Sequence, residues 1–261
     1  MKLSIITVTW NSAEHIVEQM RSVEVAAGEL EYEQIIIDNG SYDETVAKIR
    51  EAYPTVRLIV NKINRGFAYA NNVGYQASRG EYVLFLNPDT LLIPDSLAAW
   101  VEKMEQLPNM ALSGPRLIDT NGNVDSEALP RRFPTLGNQL VALTFLRNIF
   151  PSVVDRYRMK GFDPRQEQVV DSVRGSCLMA RRSFLTMLGF AFDPRYLIWF
   201  EDVDVCKEAY SHGYEVRYLP DVVAIDLVGR SFAKRPVWWK RKQFFKSLVT
   251  YLWKWSFFSK R

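Results

Sequence analysis

Four short polar segments interrupt an otherwise apolar N-terminal half: Thr9-Trp10-Asn11-Ser12, Asp38-Asn39-Gly40-Ser41, Asn64-Arg65-Gly66 and Asn87-Pro88-Asp89. A fifth, Glu201-Asp202, follows Trp199-Phe200 and leads into Val203-Asp204. Their residue types bring specific chemistry within reach. A guanidinium such as Arg65 presents a planar fork to phosphate oxygens. A carboxylate such as Asp89 can ligate a hard divalent cation, and one of the Glu201-Asp202 pair can take a proton from a hydroxyl. Taken singly, each segment also reads as a helix cap or a turn.

What sets the segments apart is where they fall. β-branched apolar runs at residues 3–9, 33–37, 56–61 and 82–86 alternate with helical patterns at 13–25, 43–52 and 67–78. This alternation predicts βαβ units and a mostly parallel sheet with helices on both faces. Such sheets bind ligands beyond the carboxyl ends of their strands, and all four N-terminal segments lie there. Further on, residues 175–179 read as a strand and 203–211 as a helix, which puts the acidic pair just ahead of that helix. Residues 114–170 are the least readable, with Arg131-Arg132-Phe133-Pro134 and an apolar stretch at 141–150.

With 261 residues, 48% of them hydrophobic, the chain is no disordered tail, collagen-like fibre or disulfide miniprotein. Cys177 and Cys206 lie far apart, so the spacing supports neither a disulfide framework nor a zinc site, and a reducing compartment is expected. The net charge of +3 conceals an asymmetry: residues 234–261 carry nine Lys/Arg and no Asp/Glu, while the rest has 24 basic against 30 acidic residues. No uncharged apolar run reaches the length of a membrane span, Arg147 and Pro151 interrupting the nearest one, and the N-terminus shows no secretory-signal pattern. In the aromatic-rich end, helical spacing aligns Phe245, Leu248, Leu252 and Trp255 on one face and Lys242, Lys246 and Lys254 on another. That pattern predicts attachment of residues 232–261 to an anionic membrane surface.

The segments occur in an order that resembles the inverting family-two glycosyltransferases of the GT-A fold, near their rhamnosyltransferase-like branch. The matching residues are Val8 to Ser12, Asp38 to Ser41, Asn64 to Asn72, Leu86 to Asp89, Arg174-Gly175-Ser176 and Trp199 to Asp204. The resemblance implies a GT-A (Rossmann-like) α/β domain at 1–231, with a nucleotide-sugar half at 1–113 and an acceptor half at 114–231, followed by the basic aromatic helical segment. It implies a donor site from Thr9, Trp10, Asn11, Asp38, Asn39, Asn64, Arg65, Gly66 and Asn87, in which Asp38 accepts the imide N–H of uracil or thymine. Asp89 would ligate Mg2+ or Mn2+. Asp226, which stands where the family carries the His of a His-x-x-Gly-x-Ser pattern, would assist it. By the same resemblance Asp202 is the catalytic base, Glu201 orients base or acceptor, and Gly175, Ser176 and Trp199 line the acceptor side.

The implied reaction is inverting, metal-dependent transfer of a sugar from a dTDP- or UDP-linked donor, dTDP-rhamnose being the first choice. The acceptor is a hydroxyl of a growing, polyprenyl-linked glycan, and the enzyme is peripheral, at the cytoplasmic face of the membrane, with no nucleic acid as partner. Two other classes compete. A nucleotide-dependent oxidoreductase of the Rossmann type would carry G-x-G-x-x-G after the first strand, where Thr9-Trp10-Asn11-Ser12 stands. A nucleic-acid binder could use the basic tail but would leave the acidic segments without a purpose.

Overall fold

The computed structural model describes residues 1–227 and 236–257. A nine-stranded sheet runs in the order β3-β2-β1-β4-β8-β6-β9-β5, with β7 also paired to β9. Strands β1 (Leu3–Thr9), β2 (Tyr32–Asp38), β3 (Arg57–Val60) and β4 (Tyr82–Leu86) form the expected parallel half. Helices α1 (Ile16–Ala27), α2 (Thr45–Ala52) and α3 (Phe67–Ala77) make its crossovers. Beyond β4 the sheet is mixed. Strand β8 (Cys177–Arg181) runs antiparallel between β4 and β6 (Met110–Ile118), and β9 (Glu215–Asp226) lies parallel to β6. The short β5 (Thr90–Leu92) and β7 (Gln168–Val169) run antiparallel to β9.

Alternation along the strands feeds two cores. Ile6, Val83, Phe85, Leu178 and Ala180 point to one face, and Leu3, Ile5, Leu84, Leu86 and Met179 to the other. Helices α1 and α4 (Ser96–Gln106) cover the second face through Val23, Leu97 and Trp100. The first is covered by α3, α8 (Arg182–Leu188), α9 (Glu201–Ser211) and the terminal α10 (Val237–Phe257). Residues 114–170 supply α5 (Leu136–Leu143), α6 (Leu146–Ile149) and α7 (Pro151–Tyr157).

Element boundaries shift where loop chemistry wins over periodicity. Helix α1 starts at Ile16 rather than residue 13, because Asn11 takes a left-handed conformation (φ 53°) and residues 12–15 complete a turn on the Ser12 carbonyl. Strand β8 starts at Cys177, since the Gly175 N–H is committed to Asp202 and the Ser176 carbonyl to Asn87.

The reading of the terminal segment needs correction. Leu248 and Tyr251 are buried in the main core and Leu252 and Trp255 pack on it, so this face of α10 belongs to the catalytic body. Phe245 does not share that face; it is exposed. Lys254 faces protein carboxylates rather than headgroups, as detailed below. The expected boundary at 231/232, like Gly229 to Ser231 of the His-x-x-Gly-x-Ser counterpart, lies outside the described residues.

Candidate active site

At the carboxyl ends of β1, β2 and β4, a cavity of about 280 Å³ is lined by Trp10, Asn39, Asn64, Gly66 and Asn87 together with Leu197, Ile198 and Trp239. Parallel pairing sets Thr9 opposite Asp38, and both side chains are buried. The Asp38 Oδ2 accepts the N–H groups of Gly40 (3.2 Å) and Ser41 (3.0 Å). Its Oδ1 is buried and has no hydrogen-bond partner among the described residues. A buried carboxylate oxygen left in this state is costly unless a ligand donor reaches it.

Several donor-site expectations acquire a different physical content. Asn39 acts as a clamp: its amide donates to Asn64 Oδ1 (3.2 Å) and the Gly66 carbonyl (3.1 Å), while its Oδ1 accepts the Arg65 N–H (3.2 Å). Asn11 ties its own loop to the next one, its N–H donating to Ser41 Oγ and its Oδ1 accepting the Tyr42 N–H. Arg65 is exposed and is not among the cavity's lining residues; it stacks 3.8 Å over Tyr69 and donates to that residue's hydroxyl. Gly66 has φ 93°, and a Cβ there would meet the Leu197 carbonyl at 2.5 Å. The close approach that requires glycine therefore comes from Leu197, far along the chain.

Asn87-Pro88-Asp89 follows β4, and antiparallel β5–β9 pairing brings Asp226 opposite Thr90. Burial, and then repulsion from Asp226, raise the Asp89 carboxyl above its usual range. His15 precedes α1, close enough to Asp89 to favour that carboxyl's ionised form. Among the described residues no group of three His, Cys, Asp or Glu side chains forms a complete metal cage. Two adjacent carboxylates suit a hard cation that takes its remaining ligands from phosphate and water, so Asp89 and Asp226 fit the implied role.

Asp202 sits in a second cleft, lined by Arg131, Arg132, Tyr157, Arg174, Trp199 and Phe244. Its Oδ2 accepts the Gly175 N–H (3.0 Å) and its Oδ1 the Val203 N–H (2.8 Å). A Cβ at Gly175 would lie 3.1 Å from that of Asp202, so glycine lets the chain before β8 approach the Asp202 side chain. Glu201 is buried. Burial first, and then the charge of Asp202, raise its carboxyl well above the ordinary range. Trp199 and Phe200 both adopt positive φ (64° and 68°), a strained turn that aims the first residues of α9 into the cleft.

Packing holds that turn in place. The Ile198 carbonyl accepts the Ser247 hydroxyl of α10 (2.7 Å), and Phe244 packs on Trp199 and Phe200. Behind it, Asp204, in the first turn of α9, is a buried hub. It accepts the Tyr196 hydroxyl (3.1 Å), the Trp255 indole N–H (2.8 Å) and Lys254 Nζ (2.7 Å). Lys254 also pairs with Asp193 (3.2 Å) and Glu208 (2.7 Å). Burial works against its charge, but Asp204 and its neighbours outweigh that and raise the Lys254 pKa. No sequence signal linked residue 254 to residue 204; fifty positions, with strand β9 among them, separate the two.

The description Glycosyl transferase family 2 matches residues 4–184. The chain belongs to that family. This family 2 glycosyltransferase is 29% identical over 249 residues to the N-acetylglucosaminyl-diphospho-decaprenol L-rhamnosyltransferase of Mycobacterium tuberculosis, covering 90% of this chain and 78% of the relative. It is 25% identical over 230 residues to rhamnosyltransferase WbbL of Escherichia coli K12, covering 84% and 83%. Its fold matches a Pyrobaculum calidifontis mannosyltransferase solved with GDP-Man and Mn2+, with TM-score 0.63, 20% identity and coverage of 96% of this chain. S. aureus TarS in complex with UDP gives TM-score 0.62, 19% identity and 95% coverage. The chain spans 62% and 63% of those two solved chains, less than two thirds of each. The fold is thereby of the GT-A type that the resemblance implied.

Proposed function

We propose that this glycosyltransferase transfers rhamnose from dTDP-rhamnose, with inversion, to a hydroxyl of a polyprenyl-linked glycan at the cytoplasmic face of a membrane. The observation that carries the reading is the Asp202 carboxylate, fixed by two backbone N–H groups in a cleft next to the donor-side cavity. An acceptor hydroxyl entering beside Trp199 gives its proton to Asp202 as its oxygen attacks the anomeric carbon. The bond from that carbon to the diphosphate breaks on the opposite face, which inverts the configuration. Asp38 Oδ1 receives the imide N–H of thymine, and Asn39 holds the two donor loops at their spacing. A divalent cation on Asp89 and Asp226 would neutralise charge on the departing diphosphate. The rhamnosyltransferase relatives support the choice of sugar, and the decaprenol-linked substrate in one relative's name supports the acceptor class.

The direct test is incubation with a panel of nucleotide sugars and a polyprenyl-diphosphate N-acetylglucosamine acceptor, read by mass spectrometry. The expected result is one added deoxyhexose from dTDP-rhamnose, with NMR of the product showing the opposite anomeric configuration. Transfer only from another donor would overturn the sugar assignment.

Two variants probe the donor side. Asp38→Asn keeps an acceptor for the Gly40 and Ser41 N–H groups but turns an amide donor toward the base. Binding of dTDP and UDP, measured by calorimetry, should weaken roughly tenfold or more, and CDP should gain relative to them. Unchanged base preference would remove Asp38 from base recognition. Asp89→Ala should weaken Mn2+-dependent nucleotide binding roughly tenfold, and Asp226→Ala should do so more mildly. An identical manganese response in all three proteins would show that neither carboxylate holds the ion.

A further inference from the structure

The least readable part of the sequence produces a distinctive surface. The helical hairpin α5–α6 exposes Leu136, Leu140, Leu143, Phe145, Ile149 and Phe150 to solvent. Across it only Gln139 is buried, so its largest apolar side chains are left in solvent. Helix α10 adds an outer face of Trp238, Phe245, Val249 and Trp253, opposite its packed face. Most of the large exposed apolar side chains among the described residues fall in these two places.

The two patches flank one site. Phe133, just before α5, and Trp255 of α10 share the ammonium of Lys207, at 4.3 Å and 6.0 Å from their ring centres. Tyr157, which ends α7, and Phe244 of α10 both line the Asp202 cleft. Charge follows the same outline. Residues 128–154 carry Arg131, Arg132 and Arg147 and no acid, and α10 carries exposed Arg241, Lys242 and Lys246, also without an acid. A soluble protein rarely gathers this much apolar surface unless it meets a partner. Arg131 and Arg132 pair with Glu127 and Asp171, but Arg147, Arg241, Lys242 and Lys246 lie among the apolar side chains. Apolar groups mixed with basic ones complement a bilayer of anionic lipid. No helix among the described residues is long and apolar enough to cross a membrane, so the contact is shallow immersion.

We propose that the α5–α6 hairpin and the outer face of α10 together form a lipid-immersed rim that seats the mouth of the Asp202 cleft on the bilayer. An acceptor sugar on a lipid anchor then reaches the base without leaving the surface. This rests on the lipid-linked acceptor of the proposed function, and it assigns the contact chiefly to the hairpin rather than to the chain's basic end.

The test uses full-length protein and a triple variant, Leu140→Glu with Phe145→Glu and Ile149→Glu, all at exposed positions. Both are co-sedimented with vesicles of phosphatidylcholine and phosphatidylglycerol, without donor or acceptor. The variant should keep its melting temperature and its affinity for dTDP while vesicle binding falls roughly tenfold or more. Its transfer to a water-soluble acceptor should match the parent, with transfer to a vesicle-embedded acceptor lost. Equal sedimentation of both proteins would overturn the proposal. So would a concentration-dependent dimer that the substitutions abolish, since the rim would then cover a second copy of the chain. Because vesicle binding is read without sugar transfer, failure of the rhamnose assignment and failure of the rim are separate results.

Discussion

Asp202→Asn is expected to reduce transfer by about 10²-fold or more while dTDP affinity and melting temperature stay close to the parent values. The amide has nearly the same shape, but it cannot take the acceptor's proton. Both carboxylate oxygens now accept backbone N–H groups, Oδ2 from Gly175 and Oδ1 from Val203, so the substitution disturbs one short contact and little else. Steady-state turnover on a saturating acceptor, with calorimetric dTDP binding alongside, separates chemistry from donor binding. Parent-like turnover would remove Asp202 from the mechanism. A collapse of dTDP affinity would place it in the donor site.

Lys254→Met should be the most destabilising single substitution among the polar residues discussed. It leaves Asp204, Asp193 and Glu208 without their common cation, in a place where the Asp204 side chain has no solvent exposure. Removing one partner of a buried ion pair costs about 3–5 kcal/mol. For a chain of this size that corresponds to a fall of roughly 10 °C in melting temperature. Turnover should fall as well, because α10 braces the strained Trp199-Phe200 turn that aims Asp202. Adding Asp204→Asn removes a stranded charge, so the double variant should melt above the single one. An unchanged melting temperature for Lys254→Met would show that the network contributes nothing net. Deletion of everything after residue 231 should likewise yield an unstable protein, since it strips Leu248 and Tyr251 from the core.

The sequence by itself determined the parallel half of the sheet and the loops at its edge. These are local matters: β-branched runs bury on both faces, polar turns end them, and the side-chain periods of strand and helix are written in consecutive residues. Tyr82–Leu86 came out residue for residue because an uncharged five-residue run between turns has only one use. Tertiary structure decided what depends on meetings between distant positions. Gly66 is a glycine because Leu197 packs on it, and Asn39 spends its amide on residues 64 and 66 rather than on a ligand. Arg65 reads as a phosphate fork in sequence, and the structure adds that its guanidinium stacks on Tyr69.

The terminal helix shows the limit most clearly. Its alternation of aromatic and basic residues reads as a membrane face, and periodicity gives the faces without saying what covers them. Only the fold reveals that one side closes the core while Lys254 neutralises a buried acidic cluster, leaving Trp238, Phe245, Val249 and Trp253 outside. A hydrophobic pattern records that a face must leave water, and the partner that receives it is set by three-dimensional proximity.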